Sequence, residues 1–159
     1  MRRSDREIKD FDEIVGVLKK CEVCRLALNG DGYPYIVPLN FGIEVKEGTV
    51  VLYFHSATEG TKLDLIKKDN RATFEADCCH RLVFDEEKGN CTAEYESVIG
   101  RGRISAIEDP IEKTAALRTL VAHYREEGFP FSEAVVPMTA VYCLVAEEIT
   151  GKRRFKKKS

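Results

Sequence analysis

Apolar positions in this chain change their spacing from one stretch to the next, and the changes mark out its elements. Ile8, Phe11, Ile14, Val15 and Leu18 recur at intervals of three and four, which predicts an amphipathic helix over residues 10–20. Asp10, followed three residues on by Glu13, resembles a capping box at its start. Residues 23–28 read as a strand, Asn29-Gly30-Asp31-Gly32 as a turn, and residues 33–41 as a returning strand. Pro34 and Pro38 keep that second strand from being a regular central one. Lys46-Glu47-Gly48 turns the chain into an apolar strand over residues 49–54. A helix is predicted over residues 59–68, with Leu63 and Ile66 on one face, and a strand over residues 71–76. A polar loop covers residues 85–90, and a long strand covers residues 93–107, with Gly100 and Gly102 marking a bend or bulge. Asp109-Pro110-Ile111-Glu112 supplies an N-cap, a first-turn proline and an N3 glutamate for the last helix. Leu117, Leu120, Val121 and Tyr124 line its buried face, Gly128 ends it, and residues 139–145 form the closing strand. Short strands joined by turns dominate, without a regular β-α alternation. That argues against a doubly wound parallel sheet and for a mainly β fold, an antiparallel β-barrel with peripheral α-helices.

At 159 residues the chain suits one domain with a real core, and no internal repeat or linker interrupts it. Its apolar fraction of 43% and charged fraction of 33% suit a soluble globular protein. A net charge of −2 gives no overall field toward nucleic acid, and no apolar run is long enough for a bilayer. The polar start Met1-Arg2-Arg3-Ser4-Asp5-Arg6 is not a secretory signal, so a cytoplasmic location and reduced thiols are expected. The domain is expected over residues 1–151, and residues 152–159 read as a basic, solvated tail.

The stretch Tyr53-Phe54-His55-Ser56-Ala57-Thr58-Glu59-Gly60-Thr61-Lys62 carries the most chemistry. An apolar strand runs into small hydroxyl residues and then into a helix with a lysine in its first turn. Free N–H groups and the helix dipole attract anions there. Ser56, Thr58 and Thr61 add hydroxyl donors, Gly60 lets a ligand approach the backbone, and Lys62 adds a full charge. The stretch reads as a phosphate seat.

Four separated segments then carry a resemblance that covers nearly the whole chain. They are residues 33–41, Tyr53-Phe54-His55-Ser56-Ala57, Gly60-Thr61-Lys62-Leu63-Asp64, and Tyr95-Glu96-Ser97-Val98-Ile99-Gly100-Arg101-Gly102. In this order they resemble the FMN-binding split β-barrel proteins, in the pyridoxamine 5′-phosphate oxidase-related branch that includes the nitroimidazole-resistance proteins. The resemblance implies a split β-barrel and a homodimer with FMN in the cleft between subunits. It implies that Val37, Pro38, Leu39 and Asn40 run past the isoalloxazine edge, with backbone groups hydrogen-bonding the ring. His55, Ser56 and Ala57 would lie along the ribityl and ring, Gly60 and Lys62 would hold the 5′-phosphate, and Ser97 and Val98 would approach from the long strand. The chain departs from the pyridoxamine-phosphate oxidases themselves, which carry an arginine where this chain has Thr61 and a tryptophan-bearing C-terminal segment. This chain has no Trp, so vitamin B6 oxidation is not expected.

The resulting expectation is an FMN-dependent oxidoreductase that takes electrons from a nicotinamide nucleotide and passes them to a small acceptor such as a nitroaromatic compound. No Gly-x-Gly-x-x-Gly follows a strand, so NAD(P)H would bind transiently over the flavin. His55 is the candidate catalytic residue, a proton donor or substrate-orienting group. Two alternatives stand beside this: a flavin-binding module without turnover, and a haem protein with His55, His80 or His123 as axial ligand. No metal site is expected. Cys21-Glu22-Val23-Cys24 has zinc-like spacing, but a second such pair is missing, and alternation along a regular strand sends Cys78 and Cys79 to opposite faces.

Overall fold

In a computed structural model, which describes residues 3–125, 129–130 and 132–155, the chain forms eight strands and three helices. In order they are β1 (Glu7–Ile8), α1 (Phe11–Lys20), β2 (Cys24–Leu28), β3 (Tyr35–Leu39), β4 (Gly42–Lys46), β5 (Thr49–Ser56), α2 (Thr61–Lys68), β6 (Arg71–Asp85), β7 (Asn90–Ala106), α3 (Pro110–Tyr124) and β8 (Ala140–Arg154). Short 3-10 turns cover Ser4–Arg6 and Glu133–Met138. The helix starts follow the sequence signals. Asp10 accepts the Glu13 N–H at 2.9 Å, and Asp109 accepts the N–H groups of Ile111 and Glu112 at 2.9 and 3.0 Å ahead of Pro110. Among the described residues no helix is long and apolar enough to cross a membrane.

The strands pair antiparallel in the order β3-β2-β6-β7-β8-β5-β4, with β1 added to β8. The two ends of this path, β3 and β4, are consecutive in the chain and separated only by Asn40 and Phe41. In a flat sheet six spacings would hold them about 29 Å apart. The short link reaches about 11 Å, so the sheet must curl until its edges nearly meet. The result is a mainly β, split β-barrel: closed by the covalent chain, with no ladder between β3 and β4.

The seam is fastened from outside by the end of α3. The Phe41 N–H donates to the Tyr124 hydroxyl at 2.9 Å, and that hydroxyl donates to the Glu22 carbonyl at 2.8 Å. Asn40 Nδ2 reaches the same carbonyl at 3.3 Å. His123 Nε2 bonds the Cys21 carbonyl at 2.8 Å, and its ring packs 4.5 Å from that of Phe41.

Alternation separates two cores. Val50, Leu52 and Phe54 of β5 join Leu26, Phe74, Val98 and Leu144 inside the barrel, with Val17 and Leu18 of α1 covering one end. Val51 and Tyr53 face outward and are covered by Ala116 and Leu117 of α3. At the α1 end the buried Glu96 carboxylate binds Arg153 Nε at 2.6 Å and Lys20 Nζ, and Arg153 also pairs with Glu13 at 2.8 Å. This joins α1 to β7 and β8.

Several boundaries differ from the sequence expectation. β4 carries an unpredicted strand, exposed at Val45 and Lys46, whose apolar signal is short. β6 continues nine residues past residue 76 because its outer half pairs with β7 as a two-stranded arm, with Leu82 and Phe84 exposed. The closing strand continues to Arg154, so Lys152, Arg153 and Arg154 of the expected tail are strand residues, Lys152 pairing with Ser97 and Glu7. Tyr124 is exposed apart from its bonded hydroxyl. The expected helix stop at Gly128 lies outside the described residues.

The bend signal at Gly102 is real. The β7–β8 register shifts between Arg101 and Gly102, and a Cβ at Gly102 would collide with the Val145 carbonyl. Gly102→Ala should therefore destabilise the fold by about 1–3 kcal/mol in urea unfolding, as other overpacked sites do.

Candidate functional site

The end of β5 and the start of α2 lie beside the first residues of β8. His55 and Ser56 pair with Val141 and Ala140 of β8. Phe54 stacks on Tyr142 inside the barrel, with ring centroids 5.7 Å apart. The chain then crosses Ala57 to Gly60 and enters α2. Gly60 has φ +134°, in the region reserved for glycine, and the space beside its Cα is empty. Its carbonyl accepts the N–H groups of Leu63 and Asp64 at 2.9 and 3.3 Å. The first two N–H groups of α2, at Thr61 and Lys62, find no acceptor among the described residues.

Lys62 is half-buried and pairs with no carboxylate among the described residues. Its Nζ lies 5.7 Å from the centroid of the Tyr142 ring. Burial lowers its pKa from the ordinary lysine value. The Tyr142 hydroxyl is buried and accepts or donates no hydrogen bond among the described residues. Ser56 is near enough to influence that hydroxyl, but its Oγ is turned onto the Ala57 carbonyl at 2.8 Å. Tyr142 and Thr58 also line a cleft of about 270 Å³ between α2 and the start of α3. An unpaired cation, free helix N–H groups and an orphan hydroxyl together ask for an anion with several acceptor oxygens. A phosphate monoester fits that donor set. Tyr142 was not legible as a site residue, since a tyrosine in an apolar strand reads as core.

The other expected residues divide by position. In β3, Val37 and Leu39 pack on the core, whereas Pro38 and Asn40 point out and are exposed. β3 pairs only with β2, so its outer edge presents free backbone groups. This suits recognition by backbone rather than side chain. Gly42 pairs with Tyr53, so Asn40, two residues before Gly42, and His55, two residues after Tyr53, stand at the same end of that ladder. Ala57 is exposed beside them.

Ser97 and Val98 are elsewhere. Ser97 pairs with Lys152, eleven positions along β8 from Val141, the partner of His55. That is about 36 Å of extended strand, far beyond the length of a flavin mononucleotide. Val98 is 0% exposed in the core and offers no side-chain surface to a ligand. Within one chain Ser97 therefore does not share a site with Lys62.

Of the three histidines, His123 is bonded at the barrel seam and His80 Nε2 pairs with Asp77 at 2.9 Å. His55 is exposed near the end of β5. Partial burial, and then the charge of Lys62, lower its pKa below the ordinary 6.5. It is thus neutral at pH 7, suited to orienting a partner or accepting a proton more than to donating one.

The sequence profile described as "Pyridoxamine 5'-phosphate oxidase" matches residues 10–153. The chain belongs to the pyridoxamine 5′-phosphate oxidase family. Among solved structures of this fold is a candidate 5-nitroimidazole antibiotic resistance protein from Bacteroides thetaiotaomicron, 30% identical, with TM-score 0.80 over 92% of this chain and 85% of that one. An FAD binding protein from Mycobacterium smegmatis is 26% identical, with TM-score 0.56 over 94% and 99% of the two chains. The flavocytochrome Anf3 from Azotobacter vinelandii, 21% identical with TM-score 0.78 over 98% and 72%, shares the fold. No curated protein matches the chain. The family membership agrees with the fold resemblance read from the four motifs, and flavin-binding proteins are among these structural neighbours.

In this family member the electrostatics of His55 are testable by NMR titration. Its midpoint should fall below 6.5, and Lys62→Ala should move it upward by removing a like charge. The unfolded chain takes up this proton first as pH falls, so His55 should cost stability progressively below pH 6.5, down to its folded midpoint, and nothing above.

Proposed function

We propose that the chain binds flavin mononucleotide with its phosphate at the start of α2, and that it passes electrons through the flavin to a small acceptor. The observation that carries this is Lys62, a half-buried cation without an acidic partner among the described residues, held over the ring of Tyr142, whose buried hydroxyl is likewise unpartnered among them. The dianionic end of a mononucleotide answers both, and the free N–H groups of Thr61 and Lys62 add two donors. Ser56 can turn its hydroxyl from Ala57 toward the same anion. The free edge of β3 at Val37, Pro38 and Leu39 offers backbone groups to the ring, and Asn40 and His55 stand beside it.

When bound, the flavin supplies the hydride and electron transfer. The chain's residues hold and orient it. Lys62 neutralises phosphate charge, and His55, neutral at pH 7, orients the acceptor or holds a proton on its imidazole. Nicotinamide nucleotide is the proposed donor, binding transiently. The name of the 30%-identical neighbour supports nitroaromatic compounds as acceptors. The flavin lies between two copies of the chain in this reading. Because Ser97 stands eleven positions along β8 from the partner of His55, the expected Ser97 contact would in this reading come from the second copy.

Lys62→Ala should weaken FMN binding about 10- to 100-fold, as loss of a charge-assisted bond does, and leave riboflavin binding unchanged in fluorescence titration. Equal loss for both ligands, or for neither, would put the phosphate elsewhere. Reduced nicotinamide should bleach the yellow protein anaerobically, and a nitroimidazole should restore the colour. A bound flavin that no donor reduces would mark a module without turnover.

A further inference from the structure

Cys78 and Cys79 lie where β6 loses register with β7. The strands pair through Cys78 and Glu96 and resume at Arg81 and Glu94, so Cys79 and His80 together oppose Tyr95. Cys79 has φ +60°, a left-handed conformation rare outside glycine. In an unbroken strand the two thiols would face opposite sides. The bulge removes that obstacle: Cys78 Sγ, Cys79 Sγ and a Glu96 carboxylate oxygen all lie within 4.8 Å of one another. The ground on which sequence reasoning set the pair aside does not hold here.

We propose that Cys78, Cys79 and Glu96 form a binding site for a divalent cation of the zinc type, with water as fourth ligand. Cys79 Sγ is 3.5 Å from Glu96 Oε2. A tetrahedral zinc ion, with bonds of about 2.3 Å to sulfur and about 2.0 Å to oxygen, requires a sulfur–oxygen edge of about 3.5 Å. Two thiolates and a carboxylate are also the donor set that a borderline-soft ion prefers.

The surroundings suit the ion. Burial alone would raise the pKa of Glu96, but its bonds to Lys20 and Arg153 outweigh that and keep it ionised. Arg153 fixes the carboxylate through Oε1 and leaves Oε2 toward the thiols. Lys20, which also bonds Oε2, is 46% exposed and can withdraw into water as a cation takes its place. Both ligating sulfurs bind as thiolates, their protons leaving to solvent as the ion enters. The resulting charge of −1 on the ion and its three ligands is balanced by Arg153.

Cys21 and Cys24 do not form a ligand pair of their own, although Cys21 stands beside Cys78. Cys24 is 0% exposed within the barrel core, and the buried Cys21 thiol donates to the Val17 carbonyl at 3.3 Å. The site stands apart from Lys62 and does not depend on the flavin reading.

Titrating the reduced full-length protein with Co²⁺, followed by difference absorption, tests the site. One equivalent should give a sulfur-to-cobalt charge-transfer band with tetrahedral visible bands, both removed by Zn²⁺, with about two protons released at pH 7. Cys79→Ser, at an exposed position, should lower affinity at least about tenfold and remove about half of the charge-transfer intensity. Cys91→Ser, exposed and outside the cluster, should change neither. Absence of the charge-transfer band, or full affinity in Cys79→Ser, would overturn the proposal.

Discussion

The fold depends on a constraint of chain length. Two residues, Asn40 and Phe41, must join the first and last strands of a seven-strand path. No flat arrangement satisfies them, so the sheet curls and traps Leu26, Phe54, Phe74 and Leu144 inside. The seam lacks a ladder, and the Tyr124 hydroxyl ties the link at Phe41 to Glu22 ahead of β2. Closure also fixes what remains free. β3 keeps an unpaired outer edge, and the link beyond it stands at the end of β5 where α2 begins.

The candidate site is thus assembled from leftovers of closure. Strand ends carry unpaired backbone groups, helix starts carry unpaired N–H groups, and here the two meet. Lys62 and Tyr142 sharpen the arrangement because each violates a rule of protein interiors. Among the described residues one is a half-buried cation without a counter-charge, the other a buried hydroxyl without a partner. An oxyanion would relieve both departures, which makes the pair more informative than either residue alone.

What was legible in the sequence follows what local chemistry determines. Caps at Asp10 and Asp109 gave helix starts to within a residue, and Pro34 and Pro38 argued against a regular central strand where β3 is the end of the sheet path. The candidate anion site could be read from sequence because strand end, glycine and lysine are adjacent in the chain. Tyr142 could not, because its role comes from lying under a residue eighty positions away. The place of Ser97 was hidden by a long strand: nothing local says that β8 runs fifteen residues and carries His55 and Ser97 to opposite ends. The extra residue at Cys79 was equally invisible, since a bulge is a property of pairing rather than of composition.

The fastening of the seam has a consequence for binding. Tyr124 is the final residue of α3, and helix ends fray with little free energy. Each opening of that last turn releases the Phe41 N–H and loosens the strand edge that would meet an isoalloxazine. A ligand that requires the edge in place must then hold the helix end shut, at a thermodynamic cost equal to the opening equilibrium. Amide exchange near the end of α3 and ligand affinity would thus report one shared quantity, although helix and ligand need not touch.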